Sequence, residues 1–155
     1  PDCDAFYMLN MVLGGYFGAR LMQNLREKNG FTYGVYSSLE TLRHSGYWYI
    51  HTDVGKDVKD AALTEIYREI QRLQDTPIPL QEMDMVRNYT LGMQLTSLDG
   101  VFNIASINKS LVTAGLDDSY YYNFIQTIQT ITPEEIQTMA QKYLNKEDLL
   151  EVVIE

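Results

Sequence analysis

A net charge of −9, with 12 basic residues scattered along 155 positions, excludes a nucleic-acid surface, which needs Lys and Arg clustered against phosphate. Hydrophobic residues at 45% and charged residues at 21% suit one globular domain large enough to bury a core. No run of about 18 apolar residues is present to span a membrane. The single cysteine, Cys3, rules out an internal disulfide and leaves the redox compartment open. The chain opens at Pro1-Asp2 without Met, so residues 1–155 are expected to be one domain cut from a larger protein, with any targeting segment in the part removed.

Asp4 to Leu13 carries Phe6, Leu9, Met11, Val12 and Leu13 at helical spacing and should stop at Gly14-Gly15. Gly14-Gly15-x-x-Gly18 lies between two helices. A dinucleotide loop follows a strand and reads G-x-G-x-x-G, so close packing and a sharp turn are the better account of these glycines. The next helix presents Leu21, Met22 and Leu25 and ends near Lys28, where Asn29-Gly30 supplies a left-handed stop. Phe31 to Leu39 and Tyr47 to Val54 read as two strands, joined closely enough for an antiparallel hairpin. Tyr47, Tyr49, His51 and Asp53 share one face of the second strand. That mix suits a wet, peptide-accessible side as well as it suits an ordinary sheet.

Lys56 to Gln74 is the clearest helix, with Val58, Ala62, Ile66, Ile70 and Leu73 on one stripe. Thr76-Pro77-Ile78-Pro79 breaks it. Further helices are expected from Leu80, from Val101 to Thr113 and from Ser119 to Thr130. Thr132-Pro133-Glu134-Glu135 is a strong helix start with a capping box and Pro at the first position. A final strand is expected over Leu149 to Ile154. Helix, hairpin, several helices and one distant strand make an α+β fold, a mainly antiparallel sheet with several helices packed on one face.

Arg26 and Tyr33 stand seven residues apart across the helix–turn–strand. The spacing brings a rigid cation and a neutral hydroxyl donor toward the same edge, which suits gripping a peptide carbonyl or an oxyanion. The plainer reading makes Arg26 a favourable charge at a helix C-terminus, contributing roughly 0.3–1 kcal/mol, and Tyr33 an ordinary strand aromatic. Spacing alone leaves both open.

The ordered set Leu13-Gly14-Gly15, Ala19-Arg20-Leu21, Leu25-Arg26-Glu27 and Gly30-Phe31-Thr32-Tyr33 resembles the second half of the insulinase/pitrilysin family of zinc metallopeptidases, which includes the mitochondrial processing peptidases. The likeness continues more weakly to Val152-Val153-Ile154. It implies a C-terminal-type domain that normally has one more strand ahead of this chain's start. The family's zinc sits in a different domain on an inverted H-x-x-E-H helix, and an Arg/Tyr pair from the second half completes the site. Carried over, Arg26 contacts substrate backbone and Tyr33 hydrogen-bonds the polarised carbonyl or tetrahedral intermediate. No H-x-x-E-H occurs here, so no cofactor is expected in this chain and zinc is expected in a partner domain or subunit.

Other candidates are weaker. Arg20 opposes the dipole at a helix start and calls for an anionic partner, by default a structural carboxylate. His44, in a loop, and His51, on a strand, give no fixed two-ligand geometry with Asp53. Tyr120-Tyr121-Tyr122 should point to different helix faces, and the seven Met suit core packing. Two functions follow: a non-zinc domain of a metalloendopeptidase that binds peptide and supports the transition state, inactive by itself, or a catalytically silent scaffold or partner subunit. Arg26 together with Tyr33 favours the first.

Overall fold

The computed structural model describes residues 2–42 and 44–154; the Pro1 start and the Arg43 part of the hairpin linker lie outside them. At the centre is α1 (Cys3–Leu13). Phe6, Met8, Leu9, Met11, Val12 and Leu13 are buried on all its sides, so neighbours must enclose it rather than flank it. Those neighbours are α3 (Leu80–Ser97), α5 (Asp118–Thr130), α6 (Pro133–Tyr143) and the strand β1 (Val35–Thr41). The helix α2 (Lys59–Asp75) closes the core with Ala62, Ile66, Ile70 and Leu73, the stripe expected from its periodicity, and packs on α6. α4 (Val101–Ala114) lies outside this core and buries no residue. None of the helices of the described residues is long and apolar enough to cross a membrane.

β1 pairs antiparallel with β2 (Gly46–Thr52), from Val35 opposite Thr52 to Thr41 opposite Gly46. These are the two strands of the described residues, and helices cover one face of them. Val35 and Ser37 are buried on that face, where Trp48 donates its indole N–H to Asn10 Oδ1 at 2.8 Å. On the other face Tyr36, Tyr47 and Tyr49 stand toward solvent with His51, Tyr36 lying 5.2 Å from the His51 ring.

Two strand boundaries differ from expectation. Pairing begins at Val35 rather than Phe31, because Thr32 competes for the backbone: its hydroxyl donates to the Asp53 carbonyl at 2.7 Å and accepts the Gly34 N–H at 3.1 Å. Residues 31–34 are therefore a pinned loop. Residues 149–154 form no strand, since neither β1 nor β2 pairs with them and an extended segment without a neighbouring edge has no ladder to join. One tether holds this tail, a hydrogen bond from the Tyr67 hydroxyl to Glu151 at 2.6 Å.

The glycine break has a packing cause. A Cβ on Gly14 would lie 2.6 Å from Ser37 Oγ and 2.9 Å from Ser37 N, and the Gly14 carbonyl accepts the Ser37 N–H at 3.0 Å. The close approach that the glycines imply is thus between the end of α1 and β1. Farther along, Arg87 donates to the carbonyls of Ile128 and Ile131 at 3.0 Å each, placing a cation on the C-terminal end of α5 and tying it to α3. Tyr120 donates to Asp4 and Tyr122 is exposed, so the three consecutive tyrosines do part company.

The capping box before α6 forms as expected: Thr132 Oγ1 accepts the Glu135 N–H at 3.2 Å and Glu135 accepts the Thr132 N–H at 2.8 Å. Thr132→Ala should cost about 1 kcal/mol, read as a lower urea midpoint with unchanged slope. The hydrogen bond to Glu151, with partial burial, pushes the Tyr67 phenol up to about 12. The sign is that of an acid held protonated: the tether contributes fully below the ordinary value of 10.0 and is lost as pH rises through about 12. Glu151→Gln should return Tyr67 toward the ordinary phenol range in a titration followed by ring-labelled tyrosine NMR.

Candidate functional site

The helical turn Met22–Lys28 is a π-helix, wider than the α-helix its apolar spacing suggests. Leu21 and Leu25 are completely buried beneath it, each contributing roughly 1.5–3 kcal/mol. Between them Asn24, also buried, faces α2. Its Nδ2 donates to Glu69 at 2.6 Å and to Glu65 at 2.9 Å, and its Oδ1 accepts from Asn29 at 2.6 Å. The widened turn shows in the backbone bond from the Asn29 N–H to the Asn24 carbonyl, which closes five residues rather than four. Glu69 is itself buried and also bonds Arg72 at 2.7 Å, so this polar layer is fully partnered. The hydrogen bond from Asn24, helped by Arg68, holds the Glu65 carboxyl below the usual carboxylate range.

The turn ends where expected. Gly30 has φ +64°, and the Phe31 N–H reaches back to the Leu25 carbonyl at 2.8 Å. The stop throws the chain outward. Arg26 sits before it with its side chain 37% exposed, its guanidinium carbon 4.8 Å over the Phe17 ring and its Nε 3.5 Å from Glu27. Tyr33 sits after it, 95% exposed, and its hydroxyl has no partner among the described residues. The two side chains flank one outer turn and are not hydrogen-bonded to each other.

Arg20 has the anionic partner its position calls for. Glu82 of α3 forks it with two bonds of 2.8 Å, at side-chain exposures of 19% and 23%. Beside this pair runs an open cleft of about 690 Å³ lined by Arg20, Gln23, Asn24, Lys28, Glu69 and Arg72 among others. The cations there are largely matched by carboxylates, so Arg20 and Arg72 serve structure. His44 and His51 are exposed, and the described residues hold no group of three His, Cys, Asp or Glu fit for a metal ion. The residue set of this chain therefore does not fit zinc.

Sequence reasoning missed Asn24, Glu69 and Phe17. A signal existed for the first two: Asn24 falls on the stripe of Leu21 and Leu25, and Glu69 on the stripe of Ile66, Ile70 and Leu73, where an unpartnered polar group would be costly. Phe17 carried no such signal, because its role is to support a side chain nine positions on.

The family profile described as the peptidase M16 inactive domain matches residues 1–90. Among curated proteins, a Helicobacter pylori protein named non-peptidase homolog YmxG is 23% identical over 149 residues, 95% of this chain and 34% of that protein. An uncharacterised zinc protease of Mycobacterium tuberculosis is 25% identical over 150 residues, 92% of this chain and 32% of that protein. A crystal structure titled peptidase M16 inactive domain from Pseudomonas fluorescens superposes with a TM-score of 0.83 at 27% identity, over 94% of this chain and 35% of that one. This chain thus spans about a third of the length of these relatives. The profile takes in more than half of the 155 residues, including the whole segment from Leu13 to Tyr33, and the chain belongs to the peptidase M16 inactive-domain family of zinc-protease relatives.

Proposed function

We propose that this domain lends Arg26 and Tyr33 to a peptidase site whose zinc is held by an H-x-x-E-H helix in another domain or subunit. The observation that carries the proposal is the contrast between arginines. Arg20 and Arg72 are matched by carboxylates, whereas Arg26 is propped on Phe17 with no fork, one turn from a phenol standing free in solvent. A guanidinium held this way keeps donors for a peptide carbonyl, and an unpartnered phenol can turn to meet an oxyanion as charge develops there.

In this role Arg26 binds and orients the substrate backbone. Tyr33 donates to the carbonyl oxygen more strongly as it becomes tetrahedral, so its effect falls on the transition state rather than on ground-state binding. The metal would supply an activated water. This domain's part is positioning and charge stabilisation.

The second reading, a silent scaffold or partner subunit, draws support from the relative named a non-peptidase homolog. It requires neither side chain, so kinetics separates the two. In the complete zinc-bearing assembly, Tyr33→Phe should lower kcat by about two to three decades with KM little changed, the cost of one preorganised oxyanion donor, about 2.7–4 kcal/mol. Arg26→Ala should raise KM as well, and Arg26→Lys should not restore it, because a fork matters more than a charge. Steady-state hydrolysis of a quenched fluorescent peptide, with melting temperature and zinc content as controls, reads both. Wild-type kinetics in both variants would leave the pair structural and favour the scaffold.

A further inference from the structure

We infer that the lobe made by the second half of α3, α4 and the start of α5 is the docking face for another domain of the same polypeptide. α3 buries Met83, Val86 and Thr90 and nothing after them, α5 buries only Ile128 near its far end, and α4 buries nothing. Between these points Leu95 is 71% exposed, Phe102 88% and Val112 77%. Exposed Met93 and Val101 extend the same apolar surface.

α4 has no internal reason to stay helical. It is 14 residues long, rich in Val, Ile, Asn, Ser and Thr, and starts at Gly100 without a side-chain cap. The Ser110 and Thr113 hydroxyls turn back onto the Ser106 and Lys109 carbonyls, a pattern that slightly weakens helices. A helix of that length and composition is marginal in water and takes its stability from a buried face. Here that face is bare.

Charge agrees. From Asn88 to Leu116 the only charged residues are Asp99 and Lys109, which cancel, in a chain of net −9. A solvated lobe carries charge, whereas the centre of an interface is depleted of it. The occupant follows from length and electrostatics. The relatives are single polypeptides of which this span is 32–34%, so most of each lies outside it and is tethered at high local concentration. A second copy would bring two bodies of net −9 together. The face is also continuous with the site: Tyr89 of α3 packs 4.5 Å from Tyr16, next in sequence to the Phe17 that supports Arg26. A domain seated on α4 would overhang Arg26, and this holds whether or not Arg26 and Tyr33 act in hydrolysis.

The test uses the full-length polypeptide containing this domain. With Phe102→p-benzoylphenylalanine, photolysis should give cross-links within one polypeptide, mapped by mass spectrometry to segments outside 1–155, while the same replacement at exposed Gln141 on α6 gives none. Hydrogen exchange should show residues 101–114 protected, and Phe102→Asp should speed their exchange about tenfold or more while the buried α1 amides stay slow. Cross-links to a second copy, or none from position 102, would overturn the inference, as would exchange of 101–114 at unprotected rates. Should Phe102→Asp unfold the chain, the cross-linking result decides.

Discussion

The exposed edge depends on one buried amide. Asn24 lies at the widest point of the π-turn, where its side chain reaches Glu65 and Glu69 on α2 with one end and Asn29 with the other. An α-helical turn would carry the residues after Asn24 farther round the axis and change where Arg26 emerges. Asn29 bonds both the backbone and the side chain of Asn24, so the same group that anchors the turn below also positions its left-handed exit at Gly30. Arg26 and Tyr33 are coupled through that exit. Truncating Asn24 would leave Glu69 buried with Arg72 alone and free the turn to relax, two effects that a single buried hydrogen bond rarely controls together.

Electrostatic accounting separates structural arginines from available ones. In an acidic domain each guanidinium can find a carboxylate, and those of Arg20, Arg68, Arg72 and Arg87 do, on Glu82, Glu65, Glu69 and Asp84. Arg26 has Glu27 beside it only at 3.5 Å and rests on an aromatic face instead. A cation on a π-face keeps most of its donors, which a bidentate carboxylate does not allow. The surrounding negative charge adds a field that favours cationic over anionic ligands near this edge, and salt should weaken it.

Much of this arrangement could be read from residues whose signals are local. The capping box at Thr132 and Glu135, the stop at Asn29-Gly30, the stripe of α2 and the need of Arg20 for an anion each rest on chemistry within a few positions or one face, and each appears. What could not be read depends on partners distant in sequence. The strand expected at Phe31 yields to a Thr32 bond with Asp53, and the tail at 149–154 lacks an edge to pair with although its Val152-Val153-Ile154 pattern is sound. The π-turn arises because Asn24 has acceptors on α2, which no helical periodicity encodes. For the candidate site the motif marked Arg26 and Tyr33, but Phe17 and Asn24, which place Arg26, were visible only once the chain was folded.

The most direct test is a crystal structure of the zinc-bearing assembly with a phosphinic peptide, whose tetrahedral phosphorus stands for the attacked carbonyl carbon. The account places the Tyr33 hydroxyl within hydrogen-bonding distance of a phosphinyl oxygen, about 2.5–3.0 Å, with the Arg26 guanidinium on a peptide carbonyl of the same ligand. An inhibitor seated on the metal while Tyr33 remains in solvent and Arg26 stays on Phe17 would contradict it.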